Sequence, residues 1–250
     1  MKRIVVAVLA LTSMPALAAA TPFEACQVPD YLAHTDGRLP RVSLEVRREH
    51  RLDILVVGTG SSLLTGNQGT ATSYPARLEA VLAERLPGTA VSVRTDVQPR
   101  RTAADMRQIL AKALLDAKPR LVVWQTGTVD AMRGIDIEEF RNTLEEGLGA
   151  ISKAGADALL MNMQYSPRTE SMIAAGPYND AMRYVAQHSD VPMFDRLAVM
   201  RHWSEHGVFD FTAPDKSQIA ERVHDCVGRL LAHLVIEAAE LKPAAPKEVR

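Results

Sequence analysis

The sequence has no excess of charge of either sign. Its 250 residues carry 29 Lys and Arg against 30 Asp and Glu, a formal net charge of −1. A basic stripe, typical of nucleic-acid binding, is missing, and so is an acidic tail of the kind that forms a solvated arm. We therefore expect no nucleic-acid partner. There is also no internal repeat and no signal for an oligomeric state.

Long apolar runs are missing after the first twenty residues. No later segment reaches the ~18 uninterrupted apolar residues of a membrane span, so no stable span is expected. The first twenty residues begin with Lys2 and Arg3, continue with an apolar stretch over 4–11 and end in small residues. This pattern predicts a cleaved signal peptide over 1–20 and a periplasmic or secreted protein. A buried N-terminal helix is the alternative.

Cysteine is scarce, since only Cys26 and Cys226 are present. In an oxidising compartment the two could form a disulfide. The alternative is a pair of buried free thiols. His, Cys, Asp and Glu form no cluster with the spacing of metal ligands, so the sequence predicts neither a metal nor another cofactor.

What the chain does contain is an alternation of short apolar runs and amphipathic segments. The runs predict strands and the segments predict helices. Such an alternation indicates βαβ units, and hence a three-layer α/β/α sandwich around a five-stranded parallel sheet. We expect an N-terminal extension over 21–50 packed on an α/β domain over 51–239, with a flexible tail over 240–250. The predicted strands are 52–57, 90–93, 120–125, 156–163 and 191–194, and the predicted helices are 74–86, 102–117, 138–153, 178–188 and 215–238.

A glycine- and serine-rich turn follows the first predicted strand. Residues 56–66 read VVGTGSSLLTG. This arrangement would expose the hydroxyl of Ser62 at the sheet edge, where functional crevices of parallel sheets lie. A dinucleotide-binding turn is one alternative, although Leu63 stands where the third glycine is required. A plain strand-to-helix turn with capping serines is the other.

Several segments together resemble the SGNH (GDSL-type) hydrolases, a family of serine esterases and lipases. The run Gly60-Ser61-Ser62 resembles the family's block I, and Gly127-Thr128-Val129-Asp130 resembles block III. Residues 213–215 resemble block V, and residues 178–195 resemble the penultimate helix and strand. The resemblance covers roughly residues 50–235 and is strongest to exported bacterial members, with one cysteine near the mature N-terminus and another in the last helix. It therefore favours a Cys26–Cys226 disulfide.

The resemblance assigns roles that this sequence fills only in part. Ser62 matches the nucleophile and Asp215 the residue that orients the base. The histidine position of block V holds Gln218, whose amide cannot accept and return a proton near neutral pH. An alternative register over 210–213 places alanine there.

The residues at the oxyanion-stabilising positions also differ from the family's pattern. The asparagine of block III is Val129, which cannot donate a hydrogen bond. The glycine of block II is replaced by Arg100 or by its neighbour Arg101. We predict that the crevice is lined by Gly60, Ser61, Gly127, Thr128 and Asp130.

Three histidines lie near block V, namely His202, His206 and His224. A relocated base, His206 above all, is one possibility, and surface or capping roles are the alternative. Arg100, Arg101 and Arg133 would either bind an anion or an acidic glycan in the crevice or lie solvated on the surface.

Two functions fit these observations. The first is a degenerate, non-catalytic SGNH-type protein of the cell envelope that binds a small molecule, a glycan ester or a partner. The second is an active serine esterase or acetyl-esterase that uses Ser62 with an altered base. A nucleotide-binding protein is a third and weaker interpretation.

Overall fold

A five-stranded, fully parallel sheet forms the centre of the protein. The computed structural model describes Cys26 and residues 28–66, 69–214 and 217–244. The sheet order is β2-β1-β3-β4-β5, which confirms the predicted parallel sheet. Its strands are β1 (Arg51–Gly58), β2 (Ala90–Val97), β3 (Leu121–Gln125), β4 (Asp157–Met161) and β5 (Met193–Phe194).

Helices cover both faces of this sheet, as the three-layer prediction requires. Successive strand residues point to opposite faces. Leu52, Ile54 and Val56 join one apolar core, whereas Leu55 and Val57 join the other. The helices are α1 (Asp30–Ala33), α2 (Pro40–Glu49), α3 (Gly69–Thr72), α4 (Tyr74–Arg85), α5 (Ala103–Ala117), α6 (Thr128–Arg133), α7 (Ile137–Lys153), α8 (Pro167–Met172), α9 (Ala175–His188), α10 (Arg196–Glu205) and α11 (Ser217–Ala238).

Each face has its own set of packed helices. Buried side chains of α2, α4, α10 and α11 fill the first core, and those of α5, α7 and α9 fill the second. The close packing of α7 on β3 depends on Gly147, where an added Cβ would lie 2.3 Å from the indole of Trp124.

Several predicted bounds were wrong. β2 runs to Val97 rather than ending at residue 93, because all eight of its residues pair with β1. β5 contains only Met193 and Phe194, since pairing with β4 stops there. Helices α2 and α10 were not predicted. Each is only 10 residues long, and in α2 two valines at i and i+4 are the buried residues of a charged segment.

The segment before β1 is attached to the rest of the protein by a disulfide and by hydrogen bonds. Cys26 and Cys226 form a disulfide, which confirms the predicted pairing. The carboxylate of Asp157, at the start of β4, accepts hydrogen bonds from the backbone N–H groups of Arg41 and Val42 at 2.8 and 2.9 Å. Asp157 is 5% exposed, so these donors compensate for the removal of its charge from water.

The predicted signal peptide over 1–20 lies outside the described residues, as do residues 245–250 of the predicted tail. In the described part of the chain, no helix combines the length and the apolar character needed to cross a membrane.

Candidate functional site

The candidate site lies where β1 and β3 end side by side. β2 pairs with one edge of β1 and β3 pairs with the other, so the strand order reverses at β1. Ligands of such sheets bind beyond the carboxyl ends of the strands at this switch point. Here the end of β1 at Gly58 is followed by a 3₁₀ turn over Gly60–Ser62, and β3 ends at Gln125.

The Ser62 hydroxyl points into the protein. Ser62 has no exposed surface, so the expectation of an exposed hydroxyl was wrong. Its Oγ donates to Gln125 Oε1 at 2.9 Å and accepts from the Tyr74 hydroxyl at 3.1 Å. The hydroxyl hydrogen and one lone pair of this oxygen are therefore engaged in hydrogen bonds with buried neighbours that are not bases. Ser61, one residue earlier, is the half-exposed serine of the turn.

The reason for this orientation is local. The 3₁₀ turn is closed by a hydrogen bond from the Ser62 N–H to the Thr59 carbonyl at 2.9 Å. The turn brings the Ser62 side chain back beneath the end of β1. The space there is free only because residue 58 is glycine, since a Cβ would lie 2.4 Å from Ser62 Oγ and 3.0 Å from Gln125 Oε1.

Gln125 connects the two strand ends. Its Oε1 accepts from the N–H and the hydroxyl of Thr59, both at 3.0 Å, as well as from Ser62. Its Nε2 is buried and lacks a hydrogen-bond partner among the described residues. Gln125 thus holds the turn to β3 and accepts the Ser62 hydroxyl hydrogen, which a general base would have to accept.

The imidazole of His224 is near this network but does not contact the serine. Its Nδ1 accepts the backbone N–H of Tyr74 at 3.0 Å, so it caps the first turn of α4. His224 is 5% exposed. Burial, and then the nearby charge of Arg196, lower the pKa of His224 to about 3. An imidazole with this pKa and with Nδ1 already occupied is a poor general base near neutral pH.

Arg196, at the start of α10, is the charged group of the site. It is 1% exposed, and its guanidinium lies over the Tyr74 ring, 5.7 Å from the centroid. Nη1 donates to the Ser61 carbonyl at 3.1 Å. Burial lowers the pKa of Arg196 to about 10, so the side chain remains protonated at neutral pH.

Val129 and Arg100 are the residues matched to the family's oxyanion donors. Val129 is half-buried in α6, and its side chain has no hydrogen-bond donor. Arg100 is exposed and has a φ of 65°, the left-handed conformation that favours glycine.

The remaining predicted crevice residues have structural roles or are open to solvent. Asp130 is buried and accepts the N–H of Ala103 at 2.9 Å, which joins α6 to the start of α5, and burial raises the pKa of Asp130. Gly127 has a φ of 99°. Thr128 has a buried Oγ1 without a hydrogen-bond partner in the described part of the chain. Gly60 is exposed.

Only one of the two predicted block V residues belongs to the described part of the chain. Asp215 lies outside the described residues, and Gln218 is exposed in the first turn of α11. His202 and His206 stack on each other at the end of α10, with ring centroids 4.0 Å apart. They line a different depression, near α1 and the end of α9. Among the described residues, Ser62 Oγ therefore has no histidine partner.

The three candidate arginines are neighbours, since the Arg133 guanidinium donates to the Arg100 carbonyl at 3.0 Å. Arg101 pairs with Asp96 at 2.6 Å. Arg100 is exposed, whereas the Arg101 side chain is largely buried, with 13% of its surface exposed. Over the described ranges, no group of three His, Cys, Asp or Glu side chains could hold a metal ion.

A cavity of about 370 Å³ adjoins the 3₁₀ turn, with Ser61, Arg196 and His224 in its wall. Sequence reasoning missed Gln125, Tyr74 and Arg196. The glutamine that ends an otherwise apolar strand was a visible signal. Nothing in the sequence marks Arg196, because its burial depends on how α10 packs.

Several solved structures, among them two esterases, share this fold. TesA has a TM-score of 0.55 at 22% identity, covering 72% of this chain and 97% of that chain. A catalytic mutant of the acetylxylan esterase Axe2 from Geobacillus stearothermophilus has a TM-score of 0.59 at 16% identity, covering 74% and 94%. The psychrotrophic esterase EstA from a Pseudoalteromonas species has a TM-score of 0.52 at 16% identity, covering 72% and 98%. At these identities the likeness establishes the fold.

No curated protein matches the sequence. A family model does match, and it spans residues 25–241, nearly all of the described chain. Together with the parallel sheet, this match agrees with the SGNH-like resemblance of the sequence. The chain belongs to the Non-GDSL lipase-like family.

Proposed function

We propose that this protein is an exported, non-catalytic binding protein of the cell envelope built on the SGNH hydrolase scaffold. The observation that carries the proposal is the state of Ser62. Its hydroxyl is buried, donates to a glutamine and accepts from a tyrosine. A nucleophilic serine needs a base that takes its proton and an open path to a carbonyl carbon. Ser62 has neither.

The size of the expected loss supports the same conclusion. Removing the histidine of a comparable triad costs about 10⁶ in kcat. Removing one oxyanion donor costs about 10²–10³. These losses do not multiply, because the residues act as a unit. With a glutamine at 218 and a valine at 129, only slow background hydrolysis is expected.

Export is part of the proposal and rests on two features. The first twenty residues have the composition of a signal peptide. The Cys26–Cys226 disulfide is typical of proteins that fold in an oxidising compartment. The periplasm and the extracellular medium both satisfy these conditions.

The test combines a covalent serine probe with a turnover assay. The oxidised protein is treated with a fluorophosphonate probe and, separately, with p-nitrophenyl acetate. We expect no labelling and no turnover above that of Ser62→Ala. Ser61→Ala is the matched control, because Ser61 is the exposed neighbour in the same turn. Labelling that disappears in Ser62→Ala but persists in Ser61→Ala would instead establish the esterase alternative.

A further inference from the structure

A buried positive charge without a carboxylate partner lies at the end of the site. Arg196 is 1% exposed, and in the described part of the chain its hydrogen bonds go to the Ser61 carbonyl and to Gln164 Oε1. Buried charges in proteins are normally paired, because their removal from water is costly. The ring of Tyr74 compensates in part through a cation–π contact. Among the described residues, Arg196 has no anionic partner.

The unsatisfied part of this guanidinium is one of its edges. Nη1 is engaged with the Ser61 carbonyl at 3.1 Å. Nη2 makes only a long contact of 3.4 Å with Gln164, and Nε is buried without a hydrogen-bond partner among the described residues. Nε and Nη2 lie on the same edge of the planar group. Two parallel N–H groups at such an edge match the two oxygens of a carboxylate.

The cavity beside Arg196 is suited to an apolar body. It has a volume of about 370 Å³, within the range of small-molecule sites. About half of its described wall is apolar or aromatic, with Leu63, Tyr165, Met200, Phe211 and Val223 among these side chains. Polar side chains, including Thr65, Gln164 and Ser166, form the rest. A few polar groups in an apolar pocket are the usual means of orienting a ligand.

A second donor lies in the same wall. His224 lines the cavity, and because its Nδ1 accepts the Tyr74 N–H, the neutral ring carries its proton on Nε2. Asp210 is the carboxylate among the described residues of the wall, and it is exposed. One oxygen of Asp210 already accepts from the N–H and hydroxyl of Thr212 at 2.9 and 2.6 Å. Its charge is thus held toward solvent rather than toward Arg196.

We propose that this cavity binds a small organic carboxylate with an apolar body, whose two oxygens lie on the Nε and Nη2 edge of Arg196. The contact with Gln164 gives way to the ligand, and the apolar body lies against the side chains of the cavity. This inference rests on the proposed binding function and specifies the chemistry of its ligand.

Three probes separate the two parts of such a ligand. Octanoate carries both a carboxylate and an apolar chain, acetate carries only the carboxylate, and octan-1-ol carries only the chain. Binding of each to the oxidised protein is measured by isothermal titration calorimetry. We expect octanoate to bind at least tenfold more tightly than either of the other two.

Variants then locate the site. Arg196→Met removes the charge at similar length and should raise the Kd of octanoate tenfold or more, since it removes a charge-assisted pair of hydrogen bonds. Arg107→Met is the matched control. Arg107 lies in α5, on the other face of the sheet, where it pairs with Glu146 at 3.3 Å, and its loss should leave the Kd unchanged.

A second variant tests the same site if Arg196→Met does not fold. Ala220→Trp fills the cavity from α11 without touching the guanidinium, and it should also weaken octanoate binding tenfold or more. The inference is overturned if octanoate does not bind, or if it binds no better than octan-1-ol or acetate. It is also overturned if Ala220→Trp or a folded Arg196→Met leaves octanoate binding unchanged. Such results leave the proposed function standing if Ser62-dependent labelling is also absent. Ser62-dependent labelling overturns the proposed function whatever the binding results.

Discussion

The buried imidazole of His224 makes the stability of the fold depend on pH. Its pKa is lowered to about 3 in the folded protein by burial and by the charge of Arg196, against about 6.5 in an unfolded chain. Between these values the unfolded chain binds more protons than the folded protein. The free energy of unfolding therefore falls as the pH is lowered below about 6.5, and the loss is complete only near pH 3.

The size of this effect follows from the two pKa values. Each unit of difference corresponds to about 1.4 kcal/mol. Between about pH 8 and pH 5, the group accounts for a loss of about 2 kcal/mol in the free energy of unfolding. Because His224 is 5% exposed and its Nδ1 is held by the Tyr74 N–H, solvent screening reduces this figure little.

The assay is urea denaturation at these two pH values. His224→Gln is the informative variant, since the glutamine oxygen could still accept the Tyr74 N–H but does not titrate. Wild type should lose about 2 kcal/mol more than His224→Gln between pH 8 and pH 5. His206→Gln, which removes an exposed histidine, should behave as wild type. Equal losses in wild type and His224→Gln would refute the buried, neutral imidazole.

Two further predictions concern stability. Replacing Cys26 and Cys226 together by serine should lower the free energy of unfolding by about 5 kcal/mol, because the bond closes a loop of 200 residues. Wild type under reducing conditions should show a comparable loss in a urea melt, and unchanged stability would contradict the entropic argument. Gly147→Ala should lower the free energy of unfolding by about 1–3 kcal/mol, since its Cβ would meet the β3 indole at 2.3 Å. Gly149→Ala, with nothing within 4 Å of its Cβ, should raise it by about 0.5–1 kcal/mol. Thermal melts of the two alanine variants should therefore shift in opposite directions.

The sheet could be predicted from sequence because its strands are short apolar runs buried on both faces. The run over 121–125 shows this most clearly, since all five residues are buried. Helix α2 could not be predicted in the same way. Its burial comes from Val42 and Val46 within a charged segment, and its first N–H groups are satisfied by Asp157, which is more than a hundred residues away.

The site was harder to predict than the fold, because it depends on which of two adjacent serines in a turn points into the protein. Ser61 and Ser62 are adjacent and chemically identical, yet one is half-exposed and the other has no exposed surface. Which of them points inward is decided by the 3₁₀ geometry, the missing side chain at Gly58 and the acceptor on Gln125. A resemblance in sequence marks the turn but does not fix this orientation.

The attachments of the segment before β1 also constrain the order in which the protein can form. This segment is synthesised early, but its partners are Asp157 and Cys226. When it leaves the ribosome or a translocation channel, neither partner has yet emerged. Cys26 must therefore stay without its partner until nearly the whole chain is available, and closing contacts with sequence separations of 116 and 200 residues slows folding. A chain that stops before α11 would leave Cys26 without Cys226.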